Sequence, residues 1–534
     1  MRKYLQLTLI LLIALSLRLY PAISSGLPFS VDAWSPIKNT DLILNFTPIS
    51  LDSGILDDYN RYWPANSLFG AVFSQATGLT PIVAMAFGIP LAGTLTIPIF
   101  YTLIYRVSGS RKLALFSSIL LATAYPYTLF TAGVTKETYA NPLYVLAILI
   151  SLTRRGWREM VLFTVTSLTL VMAHHLTTLI TIATLAAITL ASLIIRIRRG
   201  ASPDHFSPLP LLILTALTTL YFTLYAHKGL KVTLTLSDLL SATSYQILTF
   251  TIALYLILKP QNHLNWRTIL KCTASAAIIF LIVFLCTRRP LTPDAPILPS
   301  HYLLYATPFI LMVPLAVLGL GELRSRGGNN LIPLFWLSTL AGLGAYAVFG
   351  DTPLGLTLAY RTLNLLCIPL LALSAYGLYR LYEAYTVSQR QKIVKVAAIT
   401  ALIAAAALNS YNLYASVSLQ ERYMGYFWLY KQPEYYAAAW IKGAASNQTI
   451  ACDVKTSYLL TNYFGLNTNV LQGLQYLTGR TGSKPQILIT YEQMVKNGYV
   501  IYGGYSVDLP ENWMEKTSQM NLIYSNKVTN IYAR

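Results

Sequence analysis

Two carboxylates, Asp32 and Glu137, stand beside apolar runs among cations and imidazoles that are rare so near hydrocarbon. Such groups are costly there unless they face a cavity or a partner, so each asks for a role. Asp32, in Phe29-Ser-Val-Asp-Ala-Trp34, suits a general base or a metal-orienting carboxylate; it equally suits a cap on its own loop. Glu137 lies in the very short turn Gly133-Val-Thr-Lys-Glu-Thr-Tyr-Ala-Asn-Pro142. It suits a second carboxylate, or joins Asp32 on a divalent cation such as Mg or Mn. Its neighbour Lys136 suits neutralising a phosphate, unless the two simply pair with each other.

The remaining polar groups extend the pattern. Arg18 closes the first apolar run and either grips a phosphate or snorkels to the interface. His174 and His175 are adjacent, so on a helix their rings point about 100° apart and chelate poorly as a pair. One of them can donate to a phosphate or position a nucleophile, or both seek the interface. Arg288-Arg289 leads the proline-rich stretch 290–299; paired guanidiniums suit a diphosphate, or anchor a helix end. Arg361 faces a cavity as a phosphate ligand or pairs with Asp351. His227-Lys228 and Lys231 repeat the theme more weakly. Together these groups fit a site for an anionic, lipid-linked substrate: a carboxylate base, cationic grips and an apolar groove.

Composition fixes the solvent that must surround such a site. The chain has 534 residues, of which 55% are hydrophobic and 11% charged, with a mean hydropathy of +0.52. Soluble domains carry about 25% charged residues. A water-soluble enzyme domain, a disordered chain and a disulfide-stapled module are excluded. Four cysteines are too few for a disulfide framework. Cys272 and Cys286 would lie about 21 Å apart on one helix, beyond disulfide reach.

A crossing helix needs about 20 apolar residues. The hydropathy pattern predicts thirteen segments, at 4–20, 80–105, 113–132, 139–153, 159–173, 175–195, 209–226, 241–258, 269–287, 302–320, 331–349, 360–380 and 393–409. The first lacks a small-residue cleavage site and reads as a retained helix. With the N-terminus inside, the inner segments hold twenty basic and four acidic residues, and the outer ones before residue 410 hold nine of each. Basic excess on the inner side is the expected topology signal. The net charge of +19 therefore reports orientation, and nucleic acid is not a partner.

The outer loop 21–66 is the longest before the tail and carries Asp32, Asp41, Asp52, Asp57 and Asp58. Residues 66–77 suit a short interfacial helix. The tail 410–534 is polar and tyrosine-rich. Strands are predicted at 449–453, 486–490 and 499–502, a helix at 433–442 and a hairpin at 521–532 turning at Ser525-Asn526. The expectation is a polytopic α-helical membrane protein with about 13 transmembrane helices, N-terminus in and C-terminus out. A transmembrane domain 1–409 precedes a small extracytoplasmic α/β or α+β domain, 410–534, in the plasma membrane. Asn447-Gln-Thr449 in that tail is an N-glycosylation sequon; Asn45-Phe-Thr47, followed by Pro48, is a poorer acceptor.

This layout, with Leu17-Arg-Leu-Tyr-Pro21, Val31-Asp-Ala-Trp34, Thr135-Lys-Glu-Thr138 and His174-His-Leu-Thr177, resembles the GT-C class of polyprenyl-phosphate-dependent membrane glycosyltransferases. Archaeal oligosaccharyltransferase-like and protein mannosyltransferase-like members are the nearest comparison. The resemblance implies a hexosyltransferase that moves a sugar from a polyprenyl-phosphate donor to a protein, lipid or glycan acceptor at the outer membrane face. It implies Asp32 as base or metal ligand, Glu137 as the assisting acid, and Arg18, Lys136, Arg288, Arg289 and Arg361 as donor-phosphate ligands. Asp32-Ala-Trp34 is not a paired Asp-x-Asp, and the tail lacks the Trp-Trp-Asp-Tyr-Gly signature of oligosaccharyltransferases. A transporter or lipid flippase, and a non-catalytic cell-envelope scaffold, are the rival readings.

Overall fold

The computed structural model describes residues 2–46, 48, 50, 54–57, 59–153, 156–199, 207–229, 235–258, 266–290, 296–350, 352–383, 389–425, 428–503 and 505–534. Asp52, Asp58, Lys231, Asp351 and Thr47 of the second sequon lie outside the described residues. The chain divides into two compact units. One comprises Met1–Arg18, Ala92–Thr131 and Glu137–Leu413; the other comprises Leu19–Leu91, Ala132–Lys136 and Tyr414–Arg534.

Each of the thirteen apolar segments coincides, within a few residues, with a helix or a pair of helices. Among the described residues, eight helices are long and apolar enough to cross a membrane. They become nine if Arg111–Thr123 and Tyr125–Ala132, bent by 60°, form one broken span. The protein is thus a multi-pass helical membrane protein.

The first unit packs by close backbone approach, as expected where lipid supplies no hydrophobic drive between helices. Helices Tyr302–Arg326 and Pro353–Glu383 meet at Gly319 and Gly377. A Cβ on Gly319 would overlap the Leu373 carbonyl, and one on Gly377 the Leu315 carbonyl. The bend after Thr123 frees backbone groups that must be satisfied inside the protein. Arg18 Nη1 and Thr128 Oγ1 each donate to the Ala122 carbonyl at 3.1 Å. The Tyr125 amide donates to Asn409 Oδ1 at 2.9 Å. Pro126 explains the position of the break, because it has no N–H to give the Ala122 carbonyl four residues earlier.

The second unit joins the first loop to the tail. A helix missing from the sequence reading, Trp34–Asn45, occupies the loop, and a helix forms at Ala65–Thr77 where one was expected at 66–77. In the tail, β1 (Ile450–Ala451), β2 (Thr468–Asn469), β3 (Ile487–Tyr491), β4 (Tyr499–Tyr502), β5 (Tyr505–Asp508), β6 (Asn521–Ser525) and β7 (Thr529–Ala533) follow in order. Five form one mixed sheet ordered β2-β1-β3-β7-β6, with β1 parallel to β2 and β3; β4 and β5 pair separately. Central β3 is buried at every position, as an apolar strand covered on both faces should be. The predicted hairpin is β6–β7. Asn526 Oδ1 accepts from the amides of Val528 and Thr529, a side-chain turn that tolerates Lys527 at φ +71°.

Candidate active site

In the first unit, two distant residues converge on one carboxylate. Glu137 Oε1 lies 3.2 Å from His174 Nε2 and 3.2 Å from Arg361 Nη1. Glu137 is in the first turn of Lys136–Ser151 and Arg361 is on Pro353–Glu383. His174 sits between Trp157–Ala173 and His175–Arg199, with extended backbone at φ −160° and ψ 119°. It acts as an N-cap: its Nδ1 accepts from the Thr177 amide at 3.3 Å and lies 2.8 Å from Thr177 Oγ1. A neutral imidazole whose Nδ1 is an acceptor carries its proton on Nε2. The cap therefore aims an N–H at Glu137. The histidine side chain is 1% exposed and Arg361 28%, so Arg361 is the most accessible of this trio. His175 is half-buried, its ring centre 5.0 Å from that of His174.

The other basic groups of this unit are placed differently. Arg18 is fully buried; its Nη1 serves the carbonyls of Ala14 and Ala122, and its guanidinium lies 5.4 Å from the Tyr127 ring centre. That position at the end of Arg111–Thr123 also suits the negative pole of a helix. Arg288 and Arg289 are exposed, Arg288 packing on Phe284.

In the second unit, Asp32 is exposed on a short 3-10 turn, Val31–Ala33. Both flanks of the turn are fixed. Trp34 is fully buried and packs against Tyr430, Tyr435 and Tyr463. Ser30 is held at φ +99°, a conformation costing about 1–3 kcal/mol and concentrated at functional sites. Its amide donates to Trp428 O at 3.0 Å, and its hydroxyl accepts from the Asp32 amide at 3.2 Å. The Val134 amide donates to Phe29 O at 2.9 Å, which ties the segment leading to Lys136 against the Asp32 turn.

Lys136 does not pair with its sequence neighbour. Its ammonium lies 3.7 Å from the Tyr59 ring centre and 5.5 Å from that of Trp63. Asp57 organises this aromatic segment. It accepts from Ser35, Asn60 and the Tyr59 amide, while its own amide donates to Asn39. Burial pushes the Asp57 carboxyl up, but those hydrogen bonds, with Lys136 nearby, outweigh it and hold it below the usual range. The sequence counted Asp57 among the loop acids without a role. Thr177 was missed as well, although its i+3 spacing from His174 is that of a cap.

No family model matches the chain, and no curated protein matches it. Solved structures do. The chain is similar to the archaeal oligosaccharyltransferase AglB from Archaeoglobus fulgidus in complex with an inhibitory peptide and a dolichol-phosphate, at 13% identity and a TM-score of 0.54. That match covers 92% of this chain and 70% of the other. It shares the fold of an archaeal oligosaccharyltransferase. The same enzyme tethered to an acceptor peptide containing the NVT sequon matches at 12% identity and a TM-score of 0.56, covering 99% of this chain and 74% of that one. Its complex with Zn and sulfate matches at 13% and 0.51, over 99% and 73%. Among the described residues, however, no three His, Cys, Asp or Glu side chains gather to hold a metal ion.

Proposed function

We propose that this chain transfers a sugar from a polyprenyl-phosphate donor to a protein, lipid or glycan acceptor at the outer membrane face. The fold supports the reading. The observation that carries it is Asp32, an exposed carboxylate on a turn fixed by strained Ser30 and buried Trp34. The A. fulgidus enzyme was solved with a dolichol-phosphate and with an acceptor peptide; the proposal extends a donor of that kind to this chain. Its membrane part is 1–409, with thirteen crossings, and its outward domain is 410–534.

Asp32 removes the proton of the acceptor group as that group attacks the anomeric carbon. The bond from that carbon to the phosphate oxygen breaks, and the electron pair leaves on the polyprenyl phosphate. Direct displacement inverts the anomeric centre. Lys136, in the same unit as Asp32, is the proposed stabiliser of charge growing on the phosphate. In the first unit, Arg361, held by Glu137 and His174 with His175 beside them, and Arg288 and Arg289 are proposed donor-phosphate ligands. Arg18 is committed to the broken helix and left out. Among the described residues no three metal-ligating side chains gather, and no step is routed through Mg, Mn or Zn.

Release of labelled sugar from a radiolabelled polyprenyl-phosphate sugar by the purified protein tests the proposal. Time-dependent release with inversion is expected. Sugar counterflow in liposomes without release would instead identify a transporter.

A further inference from the structure

The sequon Asn447-Gln-Thr449 has no part in the chemistry above. We propose that Asn447 is a modification site carrying an N-linked glycan, so that this chain is itself an acceptor. The inference rests on the outward placement of the tail and not on the chain's own activity.

The local structure suits an acceptor. Asn447 and Gln448 are exposed, in the turn between helix Gln432–Ala444 and β1. The Gln448 amide donates to the Ala445 carbonyl at 3.1 Å, which closes the turn and presents Asn447 at its tip. The Asn447 side chain makes no hydrogen bond among the described residues, so its amide is not withheld. The residues leading into the turn, Gly443-Ala-Ala-Ser446, are small, and a Cβ on Gly443 would meet nothing within 4 Å. A bulky glycan therefore has room. Among the described residues, the Thr449 hydroxyl is engaged only by a long 3.4 Å bond from Asn467 Nδ2, near the limit for such bonds. By contrast, Asn45 is the last residue of Trp34–Asn45, with Pro48 just beyond its sequon.

The donor is a glycan linked to a lipid phosphate. The Asn447 amide nitrogen attacks the anomeric carbon and a carbon–nitrogen bond forms. The carbon–oxygen bond to the phosphate breaks, its electron pair leaves with the lipid phosphate, and the amide proton passes to a carboxylate of the transferring enzyme.

Trypsin, cutting after Lys442 and Lys455, isolates the sequon in peptide 443–455. In protein purified from its native membranes, this peptide is expected to carry a glycan mass located on Asn447 by fragmentation. Asn447→Gln and Thr449→Ala should lose that mass, and Thr449→Ser should keep it. All three changes fall in an exposed turn and leave the core untouched. Recovery of the wild-type peptide only at its unmodified mass would overturn the proposal, and would leave the sugar-release assay, and the reading it tests, unaffected.

Discussion

At the scale of single residues, adjacent charges have separate duties. Lys136 and Glu137 read as a natural pair, yet neighbours on a helix diverge by about 100°. Lys136 turns to Tyr59 and Trp63, and Glu137 to His174 and Arg361. The types of these residues were legible in the sequence. Their partners were not, because they lie 37 and 224 positions away and only packing brings them together. Removing one member of such a buried pair leaves the others uncompensated, at a cost of about 3–5 kcal/mol. Glu137→Gln should therefore lower the unfolding temperature in detergent markedly. His174→Gln, which retains a donor, should lower it less; equal stability of wild type and Glu137→Gln would show that the trio is not formed. In the tail, the hydrogen bonds of Lys431 and Lys496 hold Glu492 down at about 2, against an ordinary 4.5. Such a carboxylate contributes stability that is complete above pH 4.5 and is lost as pH falls toward 2. The gap in unfolding temperature between wild type and Glu492→Gln should close over that window, and a gap that stays constant from pH 7 to 3 would contradict the assignment.

At the scale of elements, hydropathy was a good guide to where helices lie and a poor one to how they are interrupted. The run 113–132 reads as one span, but Pro126 breaks it, and Arg18, Thr128 and Asn409 satisfy the groups that the break releases. Arg18 looked like a headgroup-facing cation because its position near a helix end says nothing of the carbonyl it meets. The helix Trp34–Asn45 escaped notice since its polar residues resemble loop composition, although Pro36 in its first turn and the spacing of Ile37, Thr40 and Ile43 mark it in retrospect. Asn409→Leu removes the Oδ1 that accepts from the Tyr125 amide and should cost about 1 kcal/mol, read as a lower unfolding temperature in detergent. Gly377→Leu forces apart helices that touch backbone to backbone and should abolish a monodisperse folded species on size-exclusion chromatography. A well-behaved Gly377→Leu protein would mean that the two helices do not cross there.

At the scale of the molecule, the tail has its own sheet but shares one compact unit with the first loop. The mixed order of that sheet was beyond the sequence, since strands of two residues such as β1 and β2 carry almost no pattern. Pairing of the first loop with the tail in one unit was equally hidden: it depends on Trp34 entering an aromatic cluster some 400 residues downstream. This anchoring gives Asp32, in a loop, the fixed position that its proposed role as a base requires. The most direct test is transfer from a radiolabelled polyprenyl-phosphate sugar by wild type and Asp32→Asn, purified in parallel and matched for membrane insertion. A positioned base contributes about 10²–10⁴-fold, so the variant should lose at least a hundredfold in rate with its insertion and unfolding temperature unchanged. Undiminished transfer by Asp32→Asn, or none by wild type, would contradict the account.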